Sequence, residues 1–202
     1  MWPTITSKSD GIERIYDLPS RLLKDRIILV TEEITPATST SIVSQLLSLE
    51  AEDNSEPITM YINSPGGSVT DGLAIYDIMQ NLSCPIITIG VGMAASMGAI
   101  LLASGDKRYC TKNATVMIHQ PLGGAQGQAT EIEIAACRIV KLKRKLYTIL
   151  SQHSKTNYAT IEKACERDNY LEPEEALTLG LIDGIIETSA KQLQAQSAKE
   201  KK

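Results

Sequence analysis

Short apolar, β-branched runs closed by turn residues recur along the chain, and each is followed by a segment whose apolar residues repeat at helical spacing. That alternation is the pattern of βα units, in which helices cross over between parallel strands and cover both faces of a sheet. The fold class is therefore α/β. The pattern predicts strands over 26–30, 58–62, 86–92, 115–119 and 181–186, and helices over 39–50, 69–82, 97–103, about 129–152, 158–167 and 173–179. No repeat or linker divides 20–187, so a single domain is expected there, preceded by an N-terminal segment 1–19. From 188 to 202 the string TSAKQLQAQSAKEKK has almost no apolar content and predicts a flexible polar tail. The 202 residues include no Phe, one Trp and seven Tyr, so the core has to be built from Leu, Ile, Val, Ala and Met.

Charge and cysteine usage narrow the function. Twenty Lys and Arg against twenty-four Asp and Glu leave a net charge of -4, without the basic stripe that phosphate-backbone binding requires, so nucleic acid is not an expected partner. The longest apolar run, 92–103, is broken by Ser96 and falls short of the roughly 20 residues a membrane span needs; no membrane association is expected. The opening residues MWPTITSKSDGIER carry neither a secretory nor a transit pattern, which makes the expected location cytoplasmic. Cys84, Cys110, Cys137 and Cys165 form no CxxC pair and only two histidines accompany them, so they read as free thiols, with no metal and no cofactor expected.

Three places can carry chemistry. SPGGS, 64–68, lies between a predicted strand and a predicted helix. Its adjacent glycines can turn backbone N–H groups toward a ligand, as an oxyanion hole requires, although alone the pair reads more simply as a tight turn. Ser96 sits where an apolar strand meets an apolar helix, among Gly92, Ala94, Ala95, Gly98 and Ala99. Small neighbours leave room for a carbonyl to reach its hydroxyl, and the free N–H groups of a helix start favour a developing oxyanion. In isolation the same position reads as an N-cap serine, and the string is not a GxSxG elbow. A serine nucleophile needs a base. His153, in SQHSK, reads as a solvated surface residue, whereas His119 closes TVMIH at a strand terminus, where α/β enzymes gather catalytic groups. A carboxylate must then orient the imidazole, and spacing leaves Asp168, Asp106 and Asp183 all open.

The strings YINSPGGSV, GMAASMGAILLASG, MIHQPLGGAQGQATEIEI and ERDNYLEPEEALTLGLIDGII, in this order and spacing, closely resemble the proteolytic subunit of the Clp protease. The resemblance runs from SRLLKDRI at Ser20 to Ile186. It implies Ser96 as nucleophile, His119 as base and Asp168 as the residue that orients the base, with Gly67 and Met97 donating the oxyanion-hole N–H groups. It also implies a Clp-protease/crotonase-like ββα spiral with a protruding handle at about 122–152, in which LGGAQGQAT is the handle strand and the helix after it carries a large apolar face. In that family, handles interlock two stacked heptamers into a closed tetradecamer. Arg167, Gln126 and Gln128 are the implied ring–ring contacts.

The function so implied is that of a serine endopeptidase hydrolysing unfolded proteins inside a chamber. No GxxxxGK[ST] occurs, so energy has to come from another chain, and the resemblance implies a AAA+ ATPase unfoldase of the ClpX, ClpA or ClpC kind. Tyr61 and Tyr109 match aromatic positions of its docking pocket, whereas Thr59 and Asn81 stand where aromatics are common, and Pro19 replaces a common tyrosine. Those departures suggest, as the alternative, a specialised or structural paralogue working in mixed rings with a second subunit type. A crotonase-like acyl-CoA enzyme is a further rival, but it would have no use for His119 and Asp168 at these spacings.

Overall fold

The computed structural model describes residues 3–9 and 12–186; the predicted polar tail lies outside the described residues. The N-terminal segment forms an antiparallel hairpin of β1 (Thr4–Ser9) and β2 (Ile12–Asp17), which leads into α1 (Leu18–Lys24). The Asp17 carboxylate accepts the Ser20 N–H at 2.8 Å, and Pro19 occupies the first turn, where a missing N–H costs nothing. The sequence pattern predicts neither strand nor helix there.

The α/β expectation holds. Strand β3 (Ile27–Val30) is followed by α2 (Pro36–Glu52), β4 (Ile58–Ser64), α3 (Val69–Asn81), β5 (Ile86–Ala95), α4 (Met97–Ala103), β6 (Lys107–Thr111) and β7 (Thr115–Ile118). The chain continues through α5 (Ala129–Ser154), α6 (Tyr158–Ala164), β8 (Asn169–Leu171), α7 (Pro173–Thr178) and β9 (Gly184–Ile186). The sheet order is β3-β4-β5-β6-β9, all parallel, with β7 beside β5 and β8 antiparallel to β7.

The sheet forks at β5. Ile87–Gly90 of β5 pair with β6, whereas Met93–Ala95 pair with β7. Between the two halves the register against β4 shifts, Gly92 adopts φ +66, and the Asn63 side-chain oxygen accepts the Met93 N–H at 3.1 Å. A bulge of this kind re-aims the end of a strand, and here it directs β5 toward β7.

All seven residues of α4 are buried, as expected of a helix that is apolar all round. It belongs to one core with Ile28, Met60, Ile62, Ile75, Leu146 and Leu150, so the core is aliphatic as the missing Phe requires. Tyr147, 1% exposed, is the aromatic exception.

Several expectations are corrected. Strand β6 escapes the sequence pattern because its buried face holds a cation. Arg108 is 8% exposed and donates to the Asp183 carboxylate at 2.6 and 3.1 Å and to the carbonyls of Ala103, His153 and Gly180 at 3.3, 2.9 and 2.9 Å. One guanidinium thus ties the ends of α4 and α5 to the turn before β9. His153 is not a solvated surface residue: it lies half-buried in the last turn of α5, with its Nε2 3.2 Å from the Tyr76 hydroxyl. Burial and the Arg108 charge hold its pKa below the ordinary histidine value. The expected handle strand at 122–130 does not form either, since this stretch pairs with no strand among the described residues before α5 begins at Ala129. All four cysteines are free thiols, as expected. No helix among the described residues is long and apolar enough to cross a membrane.

Its hydrogen bonds to Arg108 hold the Asp183 carboxyl below the ordinary carboxylate range. A depressed native pKa adds stability above the unfolded-state pKa, and that stability is lost as pH falls through the native value. Arg108→Met, which leaves three carbonyls without their donor, is expected to lower the unfolding free energy by about 3 kcal/mol at neutral pH. Asp183→Asn loses less and flattens the acid limb of the stability curve. Chemical denaturation across the acidic range reads both, and an Arg108→Met midpoint equal to that of the parent would contradict the assignment.

Candidate active site

The forked strand brings together residues that are far apart in the chain. The last pairs of β5 with β7 are Ala94 with Val116 and Ala95 with Met117, and the Ser96 N–H continues the ladder by donating to the Met117 carbonyl at 2.8 Å. His119 follows the end of β7 directly, and its Nε2 lies 2.8 Å from Ser96 Oγ. On the other side of β7, Ile118 pairs with Asn169 of β8. Asp168 immediately precedes β8, with its Oδ1 3.3 Å from His119 Nδ1. The Gln120 side chain donates to the Glu166 carbonyl at 2.8 Å, so the turn carrying Asp168 is tied on both flanks. The imidazole is largely enclosed, at 12% exposed, while the Asp168 side chain is 62% exposed.

Of the three carboxylates open on spacing, only Asp168 reaches the imidazole. Asp106 accepts the Ile86 N–H at 2.7 Å, and Asp183 holds Arg108.

Ser96 does occupy the N-cap of α4, but its side chain makes no capping bond; the hydroxyl is turned to His119 instead. Its backbone lies at φ 55, ψ -119. Such a conformation costs an L-residue about 1–3 kcal/mol and persists only where the surroundings over-determine it. The buried α4 on one side and the Met117 carbonyl on the other supply that constraint.

The glycine pair of SPGGS packs against this turn. Gly66 and Gly67 have φ +88 and +145, and a Cβ on Gly66 would sit 2.6 Å from Ser96 Cβ and 2.7 Å from the Ala95 carbonyl oxygen. Ile34 grips the loop by a parallel bridge: its N–H donates to Gly66 O at 2.7 Å, and its carbonyl accepts the Ser68 N–H at 2.8 Å. In a trans peptide the C=O and N–H point in opposite directions. Because Gly66 O faces Ile34, the N–H of Gly67 faces away from it, and Gly67 lines the same cavity as Ser96, Met97 and His119.

That cavity holds about 230 Å³ and is otherwise apolar, walled by Ile100, Met117, Leu122, Leu146, Tyr147 and Leu150. The Tyr147 hydroxyl donates to the Cys165 carbonyl at 3.3 Å, and burial pushes the phenol well above the ordinary tyrosine value, so this side chain brings no charge to the wall. The contribution of α5 to the cavity was not legible beforehand. Its apolar positions read as one face, but the fold divides them: Leu146 and Leu150 point inward, while Ile132, Ile134 and Val140 remain 43%, 65% and 47% exposed.

The remaining predicted site residues lie outside the cavity. Arg167, Gln126 and Gln128 are exposed, the first next to Asp168 and the others ahead of α5. Tyr61 and Tyr109 are half-buried and lie in one row across the sheet, each in register with Ile89 between them. This row is on the opposite face of the sheet from Met60, Ile62 and Cys110 of the core.

Gly66→Ala is expected to destabilise the chain by about 2 kcal/mol through its left-handed φ and to displace Ser96. Reaction of the protein with a fluorophosphonate would then slow by about tenfold or more. An unchanged labelling rate would show that the close packing of Gly66 on Ser96 has no bearing on the hydroxyl.

A family model described as Clp protease matches residues 10–189, a stretch containing every element from β2 to β9. On that match the chain belongs to the Clp protease family of serine peptidases.

Proposed function

We propose that this chain is the proteolytic subunit of an ATP-dependent protease, a serine endopeptidase whose triad is Ser96, His119 and Asp168. The observation that carries the reading is the 2.8 Å contact between Ser96 Oγ and His119 Nε2, with His119 Nδ1 turned to Asp168 at 3.3 Å. His119 Nε2 accepts the hydroxyl proton as Ser96 Oγ attacks the scissile carbonyl. Asp168 keeps the other ring nitrogen protonated and stabilises the imidazolium. The N–H groups of Gly67 and Met97 donate to the oxyanion, each contributing roughly 3 kcal/mol of transition-state stabilisation. The imidazolium returns its proton to the leaving amine, an acyl-enzyme on Ser96 remains, and water releases it by the same route. The apolar cavity walled by α5 suits an aliphatic side chain beside the scissile bond.

The apolar residues that α5 leaves exposed support an oligomer, because a monomer leaves them in water. We read the assembly as two stacked heptamers, with Arg167, Gln126 and Gln128 at the ring–ring contact and the unpaired stretch ahead of α5 taking up strand pairing when a neighbouring handle supplies its partner. A cytoplasmic AAA+ unfoldase delivering unfolded proteins docks over the row containing Tyr61 and Tyr109. One observation favours the second reading, a paralogue active in mixed rings: Thr59, two residues from Tyr61 on the same face of β4, leaves that face of the sheet with less aromatic surface.

Ser96→Ala is expected to abolish both peptide cleavage and fluorophosphonate labelling, and cleavage persisting in that variant would refute the assignment. Asp168→Asn should lower kcat by about 10³- to 10⁴-fold with the assembly intact. The purified chain alone is expected to cleave short peptides; activity that arises only on mixing with a second subunit type would select the mixed-ring reading.

A further inference from the structure

We infer that Ser64 is a positioning residue for the oxyanion hole: its buried hydroxyl orients the peptide whose N–H, that of Gly67, faces the carbonyl attacked by Ser96. The inference rests on the peptidase reading above. Ser64 ends β4 and is 0% exposed. It does not line the cavity, so it cannot touch a substrate there and has to act through its neighbours.

Its hydroxyl makes two bonds that join separate parts of the site. It donates to the Glu32 carbonyl at 2.6 Å and accepts the Gly66 N–H at 3.1 Å. Glu32 lies two residues before Ile34, the residue that grips Gly66 O and the Ser68 N–H. One hydroxyl therefore fixes the loop that does the gripping and the peptide that leads into the gripped pair. The peptide joining Gly66 to Gly67 is held by Ile34 through the Gly66 carbonyl, the peptide before it is held by Ser64 through the Gly66 N–H, and the Gly67 N–H is left to the cavity.

Steric contacts close the remaining freedom. A Cβ on Gly66 would sit 2.9 Å from Met97 N, and one on Gly98 would sit 3.0 Å from the Ser64 carbonyl oxygen, so the loop is pressed against the first turn of α4. Without the hydroxyl, the Gly66 N–H and the Glu32 carbonyl both lose their partner next to a fully buried position, a situation that buried polar groups avoid. The cheapest relief is rotation of glycine peptides, which have no Cβ to resist it. That rotation turns the Gly67 N–H away from the place where negative charge develops.

The test compares the parent chain with Ser64→Ala and Ser64→Cys as assembled protein. The expected result for Ser64→Ala is a fall in kcat of about 10- to 100-fold on a short fluorogenic peptide, with KM within about twofold. A peptide boronate forms a tetrahedral anion on Ser96 and so reads the oxyanion hole directly. Its affinity should fall by the same factor as kcat/KM, at an undiminished stoichiometry of bound inhibitor per chain. Ser64→Cys, which keeps the volume and a weak donor, should lie between. An unchanged kcat in Ser64→Ala overturns the inference. So does an unchanged boronate affinity with reduced stoichiometry, which would mean fewer folded sites rather than a misplaced donor. A parent chain that neither cleaves peptide nor binds the boronate fails the peptidase reading itself, and this inference with it.

Discussion

The pairing of β7 with β5 on one side and β8 on the other is the constraint on which the rest of the site depends. Ser96 follows the end of one neighbour of β7, His119 follows β7 itself, and Asp168 immediately precedes the other neighbour. Strand spacing, roughly 4.8 Å between neighbours, thus brings these three side chains within reach of one another. A one-residue slip of β7 would turn its side chains to the opposite face of the sheet and lose the constellation. The fork at Gly92 matters for the same reason, because it lets β5 leave β6 and meet β7.

Around that frame the chain accepts local strain at Ser96. The positive φ of Ser96 is held by a helix with no exposed residue and by a backbone bond to Met117. Small residues make this possible: Gly66 lets the neighbouring loop rest on the serine, and Gly98 lets α4 approach Ser64. Arg108 performs the complementary task away from the site, satisfying carbonyls at the ends of α4 and α5 and before β9 that apolar packing alone would leave unpaired.

What was legible in the sequence was whatever is local. Apolar periodicity located the helices and the main parallel strands, with ends displaced by a few residues. Ser96 and His119 stood out because a polar atom among small apolar neighbours and a histidine at a strand end are both local signals. Asp168 could not be chosen from Asp106 and Asp183 by spacing, because the choice is made by the antiparallel β7–β8 pairing; the family resemblance supplied it. Strand β6 and His153 were misread for one physical reason. Arg108 finds Asp183, and His153 finds Tyr76, 75 and 77 residues away in the chain, so each looked more solvated than it is. The handle strand that the resemblance implies fails for another reason: a strand exists by pairing, and 122–130 has no partner strand among the described residues.

The central claim is that the Ser96 hydroxyl, relieved of its proton by His119, becomes covalently attached to the substrate. Rapid quenching of the assembled protein during turnover of an activated peptide ester, followed by intact and peptide-level mass spectrometry, tests this most directly. The account predicts an acyl adduct that accumulates before steady state and maps to Ser96. Turnover with no adduct, or with the adduct on another residue, would contradict it.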